Sequence, residues 1–274
     1  MGATGGDTSS AGMAAAIEAN IVETSSLFGR VPGTELHHED PDLRFYVTAG
    51  VPSPLFNHVY LTRLPQEEPD ARIEAACRHY AARRLPFMWS VGPFSRPPDL
   101  GSRLRSRGLV RAERLGGMAA DLRALDGGIP PPSGLTIERV GDAEVLGEYV
   151  GVAGAGFGMP GFVTGALFEA CSVLGLAEEN PFGHYVGRLG GKVVATASLS
   201  LAAGVAGIFN VATLPGARRR GIGTALTLAA LRDARERGCR IGILQSSDMA
   251  VGVYRRLGFE QHSTYLVYAG TGQG

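Results

Sequence analysis

Three consecutive prolines, Pro130 to Pro132, sit inside the stretch "DGGIPPPSG", Asp126 to Gly134. No helix interior or central strand accommodates such a run, because each proline lacks the N–H that a hydrogen-bond ladder needs and fixes its own φ. The stretch therefore reads as a linker, and it divides 274 residues into two halves of ordinary domain size. The expected organisation is a flexible N-terminal segment over 1–20, a first domain over 21–125, the linker over 126–134 and a second domain over 135–274.

Beyond the linker, strand and helix patterns alternate. "GLTIERVGD" has strand character, "AEVLGEYVGVAGAGFG" and "FVTGALFEACSVLGL" are helical, and "HYVGRLGGKVVATASLSL" reads as a hairpin turning at Gly190 and Gly191. "AGIFNVATL" follows as an apolar strand, "GTALTLAALRDARERG" as a helix ending at Gly238, and "RIGILQSS" as a strand. "MAVGVYRRLG" is then a helix ending at Gly258, and "HSTYLVY" a last strand. The class is mixed α/β. The first half echoes this order with strand "HVYLTRL", helix "ARIEAACRHYAARR", strand "PFMWSVG" and helix "DLGSRLRSRG". Gly108 aligns on Gly258, and Phe56-Asn57 on Phe209-Asn210, so the halves are expected to be copies of one fold.

Acidic and basic residues balance at 26 each, so no global field argues for nucleic acid or an anionic membrane. Almost every cation is arginine, Lys192 being the only lysine. Cys77, Cys171 and Cys239 are odd in number and widely spaced, which suits neither a disulfide framework nor a metal knuckle and points to a reducing cytoplasm. The N-terminus lacks the basic and apolar regions of a secretory signal. His37-His38 with Glu39 and Asp40 has the residue types of a metal site, but adjacent strand residues face opposite ways and no partner ligands come at useful spacing. No metal is expected.

The positive charge needs a local explanation. Arg218-Arg219-Arg220-Gly221-Ile222-Gly223-Thr224 directly follows a strand and opens a helix. Glycine lets backbone amides approach an anion, and the helix N-terminus adds the positive end of its dipole, so phosphate is the first ligand to consider. A dinucleotide fingerprint would need a third glycine where Leu226 stands, and a Walker loop would need Gly-Lys-Ser/Thr, which is absent.

The remaining pattern, Arg-X-X-Gly-X-Gly on Arg218, Gly221 and Gly223, resembles the signature loop of the GNAT superfamily of acyl-CoA-dependent N-acyltransferases. "VYRRLGFE" is similar to that family's Tyr-X-X-Leu-Gly-Phe segment, met by Tyr254, Leu257, Gly258 and Phe259. The two motifs come in the family's order with the expected helix and strand between them. The resemblance covers about residues 134 to 270, with the first half a degenerate copy as in tandem members. It implies a GNAT fold, a mostly antiparallel mixed sheet flanked by helices, present as two GNAT-like domains in tandem.

It further implies that the backbone of Val211, Ala212 and Thr213 pairs with the pantetheine arm of acetyl-CoA. Amides of Arg219, Arg220, Gly221, Ile222, Gly223 and Thr224 would then cradle the pyrophosphate, with Arg218 completing the motif. Tyr254 matches the family's general acid, placed to protonate the leaving thiolate. Ser247 stands where the family often has a CoA-contacting asparagine. The first half offers no such loop: Gln66, Glu67, Glu68 and Asp70 would repel a diphosphate, and Leu104 stands in the place of Tyr254. One acetyl-CoA site per chain is expected.

No residue announces itself as the base. Asn210 can only orient, and His184 and His262 read as structural strand histidines; Glu178, Glu179 and "FGMPGF" lie in the helical region that the resemblance implies lines the substrate pocket, with a solvated turn as the other reading of the two glutamates. Asp248 reads as the cap of a helix beginning at Met249, and Arg232, Asp233, Glu236 and Arg237 as an exposed paired face. Trp89 is expected in the core or between domains. The function read from the sequence is transfer of acetyl from acetyl-CoA to an amine by direct attack. The acceptor is a small-molecule or protein amine, with a homodimer counted among expected partners and neither nucleic acid nor membrane. The rival is a non-catalytic acyl-CoA-binding regulatory module.

Overall fold

A computed structural model describes residues 8–39, 43–48, 50–125 and 130–272. In chain order the first half holds α1 Ser10–Ser26, β1 Thr34–Glu39, β2 Leu43–Thr48, β3 Asn57–Thr62, α2 Pro69–Ala82, β4 Phe87–Val91, α3 Leu100–Ser106 and β5 Val110–Asp121. The second half begins with β6 Leu135–Arg139, α4 Ala143–Phe157, α5 Gly161–Leu174, β7 Phe182–Leu189 and β8 Lys192–Ala202. It continues with β9 Val205–Thr213, α6 Ile222–Glu236, β10 Ile241–Ser247, α7 Val251–Arg255 and β11 Glu260–Gly270. Residues 126–129 of the expected linker, and Asp40, lie outside the described residues.

The chain forms two compact units, a larger one of residues 1–20 with 118–262 and a smaller one of 21–117 with 263–274. This division differs from the one drawn at the prolines. The last strand joins the smaller unit, where β11 runs antiparallel to β4 with Leu266 opposite Val91 and Gly270 opposite Phe87. Tyr268 is fully buried there in a cluster with Phe87, Trp89, Leu100 and Leu104. Conversely, the residues of β5 from Met118 onward belong to the larger unit. Alternation in "HSTYLVY" specifies a strand, but a strand's partner is whichever edge its buried face fits.

In the larger unit β6, β7, β8 and β9 form an antiparallel run and β10 lies parallel to β9. Gly190 and Gly191 link β7 to β8 with φ of +56° and +78°, as a two-residue hairpin turn requires. In the smaller unit β1, β2 and β3 are antiparallel and β4 lies parallel to β3. Each unit thus reaches its parallel strand through a helix, α2 or α6, and each short helix after it ends at a glycine of positive φ, Gly108 (+83°) or Gly258 (+85°). Trp89 is a core residue, its Nε1 donating to Thr62 Oγ1 at 2.9 Å. The larger core gathers Leu199, Ile208, Leu228, Leu231, Leu244 and Phe259.

The expected flexible segment is a helix from Ser10 onward. Asn20, fully buried on α1, donates Nδ2 to the carbonyls of Ser200, Ala202 and Val205 at 3.0–3.2 Å. Those carbonyls surround the β8–β9 turn, where Ala203 and Gly204 take φ of +51° and +73°. One side chain thereby satisfies groups that a tight turn leaves facing inward. Among the described residues no helix is long and apolar enough to cross a membrane.

Candidate functional site

The site starts with an irregularity in β9. Thr196 faces Ala212 and Ser198 faces Phe209, so Asn210 and Val211 both stand against Ala197, and Asn210 takes φ +52°. This is a β-bulge, which bends its strand and re-aims the residues after it. Against β10, the pairing of β9 covers only Ala206 to Ile208, opposite Gly242 to Leu244. From Phe209 to Thr213, β9 is therefore paired on the β8 side alone. Its other edge offers backbone donors and acceptors that an extended, amide-bearing ligand can continue as a ladder.

At the end of this open strand the chain turns through residues 214–221 into α6. Arg219 and Gly221 take φ of +61° and +78°, the kind of backbone in which successive N–H groups can converge on an anion. Gly221 is the N-cap of α6 and supplies no side-chain acceptor. The first helical N–H groups thus lack intrahelical partners, and the positive end of the dipole adds to their pull on negative charge. Arg218 turns back, Nε donating to the Thr213 carbonyl at 2.9 Å, and so ties the loop to the strand end. Arg219 and Arg220 are exposed and form no ion pair among the described residues.

Strand, loop and α7 together enclose a groove of about 590 Å³. Of the residues singled out from sequence, Val211, Thr213, Arg218, Arg219, Gly221, Ile222, Gly223, Thr224, Ser247 and Tyr254 line it. Ala212 is buried on the other face of the strand, and Arg220 points outside the walls. The sequence reading missed Ala217, Met249, Ala250, Val253 and Arg256. Ala250, Val253 and Tyr254 stand three and four apart, so the one-face rule for helices, applied around Tyr254, would have found two of them. Among the described residues no carboxylate or imidazole lines the groove.

Tyr254 packs edge-on to Phe259, ring centroids 6.1 Å apart. Burial raises its hydroxyl above the ordinary tyrosine value, opposed by the nearby Thr227 hydroxyl. That Thr227 hydroxyl itself finds no partner of good hydrogen-bond geometry. Tyr254 therefore holds its proton at neutral pH and can donate it to a thiolate. Asp248 does not cap the next helix: α7 begins at Val251, its N-cap is Ala250, and no side chain bonds the cap.

Beneath the bulge, Ser198 Oγ collects Tyr149 Oη at 2.7 Å, His184 Nδ1 at 2.9 Å and Asn210 Nδ2 at 3.4 Å. His184 is almost wholly buried, and burial drives it down to about 4, so it stays neutral and serves packing rather than proton abstraction. His262 lies on β11 with Nδ1 3.2 Å from Ser10 Oγ. The expected exposed charge ladder on α6 is also different in place. Asp233 pairs with Arg237 at 2.6 Å as the spacing predicts, yet it also meets Arg139 at 3.6 Å and accepts from the Tyr185 hydroxyl. Arg139 and Arg237 both donate to the carbonyls of Glu178 and Asn180. This half-buried network pins the loop holding Glu178 and Glu179, which line no part of the groove.

Residues 155–259 match the acetyltransferase (GNAT) family. No curated protein shows a sequence match. Among solved structures, the fold is similar to a GCN5-related N-acetyltransferase from Kribbella flavida at TM-score 0.68 and 22% identity, covering 92% of this chain and 95% of that one. It is similar to a GCN5-related N-acetyltransferase from Sphaerobacter thermophilus at 0.63 and 15%, covering 85% and 81%. A tandem GNAT protein from the clavulanic acid biosynthesis pathway aligns at 0.60 and 16%, covering 98% and 96%. The GNAT fold expected from the sequence, with tandem architecture among its neighbours, is thus the fold observed, and the family match supports acyl transfer.

Proposed function

From an open strand, an anion-binding turn and a helix start arranged inside a GNAT acetyltransferase segment, we infer that this chain is an acetyl-CoA-dependent N-acetyltransferase. The observation that carries the reading is the parting of β9 from β10 after Ile208, directly upstream of the Arg219–Gly221 turn. The pantetheine arm, with its two amides, extends along Val211 to Thr213. The diphosphate lies on the amides of Arg219 to Thr224, and the exposed arginines add attraction from a distance. Acetyl-CoA is the donor because it is the family's common one.

In the transfer step a neutral amine attacks the thioester carbonyl, and the tetrahedral intermediate collapses with loss of CoA thiolate. Tyr254 delivers the proton that the thiolate takes up. The amine nitrogen releases a proton to water, since no described wall of the groove carries a carboxylate or imidazole. That same bareness favours a second reading, a binding module that senses acyl-CoA without turnover.

Thiol release from acetyl-CoA, measured against a panel of amines, with calorimetry of CoA binding on the same preparation, separates the readings. Amine-dependent release supports the transferase. Binding without release on any amine supports the sensor, and absence of binding overturns both.

A further inference from the structure

We propose that Glu35, His37 and His79 form a binding site for a zinc-type divalent cation in the smaller unit, independent of the acyl-CoA groove. Glu35 and His37 are two apart on β1 and so share one face of the strand. His79 comes from the last turn of α2. Glu35 Oε2 lies 3.3 Å from His37 Nε2 and 3.8 Å from His79 Nε2, and all three ligand atoms fall within 4.8 Å of one another. With metal–nitrogen and metal–oxygen bonds of about 2.0–2.2 Å, neighbouring ligands of a tetrahedral ion stand roughly 3.3–3.6 Å apart. The two separations from Glu35, 3.3 and 3.8 Å, are within about 0.2 Å of what the ion imposes, and the pair of imidazoles, within 4.8 Å, closes to it by side-chain rotation.

The surroundings hold them there. The His37 ring stacks flat on Phe45, centroids 4.5 Å apart and planes within 7°, and meets His79 edge-on at 4.2 Å. His79 Nε2 is buried and has no hydrogen-bond partner. An imidazole nitrogen left bare against a carboxylate is a cost that a cation removes. Two imidazoles and one carboxylate suit zinc, with a fourth position left for water.

One group competes. Arg83 Nη2 lies 3.1 Å from Glu35 Oε2, on a side chain more than a third exposed. The cation takes the place of this guanidinium, which swings into solvent. The adjacent pair His37-His38 did not suggest the site because the third ligand arrives from a helix, brought by packing and not by spacing.

Zinc alone is titrated by calorimetry into the full chain after chelator treatment, and melting temperature is read with and without zinc. The wild type takes up one equivalent and melts higher with zinc, since a ligand of the folded state alone stabilises it. Loss of even an outer partner typically weakens a metal site about 10- to 100-fold, so His79→Ala weakens binding by at least about 100-fold and abolishes the melting shift. Glu35→Gln, which keeps the side-chain shape, does the same and stands in if His79→Ala fails to fold. Arg83→Met tightens binding roughly 2- to 5-fold, the worth of one exposed ion pair, an effect that a merely structural cluster would not give. No saturable binding, or binding that survives both His79→Ala and Glu35→Gln, overturns the proposal; weaker binding in Arg83→Met overturns the displacement.

Discussion

Replacing Gly221 by alanine separates the backbone's part in the groove from the side chains'. Gly221 holds φ +78° as the N-cap of α6, and an added Cβ would meet only Pro132 Cγ, at 3.9 Å. The cost is therefore conformational, not steric, and a left-handed non-glycine residue costs about 1–2 kcal/mol. At about 2–4 °C per kcal/mol for a domain of this size, the melting temperature falls roughly 2–8 °C. The strain is relieved when the backbone leaves the left-handed region, and the N–H groups of the turn then point away from the diphosphate. That removes at least one hydrogen bond to a charged group, worth about 1.5–3 kcal/mol, which is about 10- to 100-fold in CoA affinity. Gly238→Ala is the control. Gly238 holds φ +89° just past the other end of α6, and an added Cβ meets nothing within 4 Å, so alanine there carries the same strain away from the groove. That variant loses similar stability and keeps CoA affinity. Calorimetry with CoA and thermal melts of both proteins decide the matter, and unchanged affinity in Gly221→Ala alongside the expected loss of stability would refute the anion-turn argument.

Tyr254→Phe preserves the packing on Phe259 but removes the acid, so turnover falls roughly 100-fold while the KM for acetyl-CoA stays level; unchanged kcat would remove Tyr254 from the chemistry. Asn20→Ala leaves three carbonyls around the β8–β9 turn without their donor and lowers stability by about 1–3 kcal/mol, read from urea unfolding. His184 is held at about 4 in the fold against an ordinary value of 6.5. Between those values the unfolded chain binds more protons, so stability falls as pH falls through this window, by up to about 3 kcal/mol at 1.36 kcal/mol per pH unit. His184→Gln should flatten that part of the curve, and an equally steep decline in the variant would assign the effect elsewhere.

Much of the groove was legible because its determinants are local. A strand, an Arg-X-X-Gly-X-Gly turn and a helix succeed one another within residues 205–236, and the positive φ at Gly221 is a demand that one residue type meets cheaply. Tyr254 was readable for the same reason, three residues before a Leu-Gly pair that ends its helix. Helix α1 was not legible, although "AGMAAAIEAN" is rich in strong helix formers; its glycine- and serine-bearing flank has the composition of a flexible segment. Asp233 was read as half of a surface pair because spacing along α6 gives its i+4 partner and says nothing of Arg139 or Tyr185 from other strands.

The sequence by itself determined the succession of strands and helices, the repeated order of the two halves and the place of the glycine-bearing turn at Arg218 to Thr224. These arise from periodicity, turn residues and helix starts, each settled within a few residues of chain. Tertiary structure alone decided that the last strand completes the first half's sheet beside β4, that β9 and β10 part after Ile208, and that His79 meets His37 and Glu35. Strand partnership, splay and side-chain convergence depend on which buried faces fit one another across long separations, and no local pattern of residues encodes that fit.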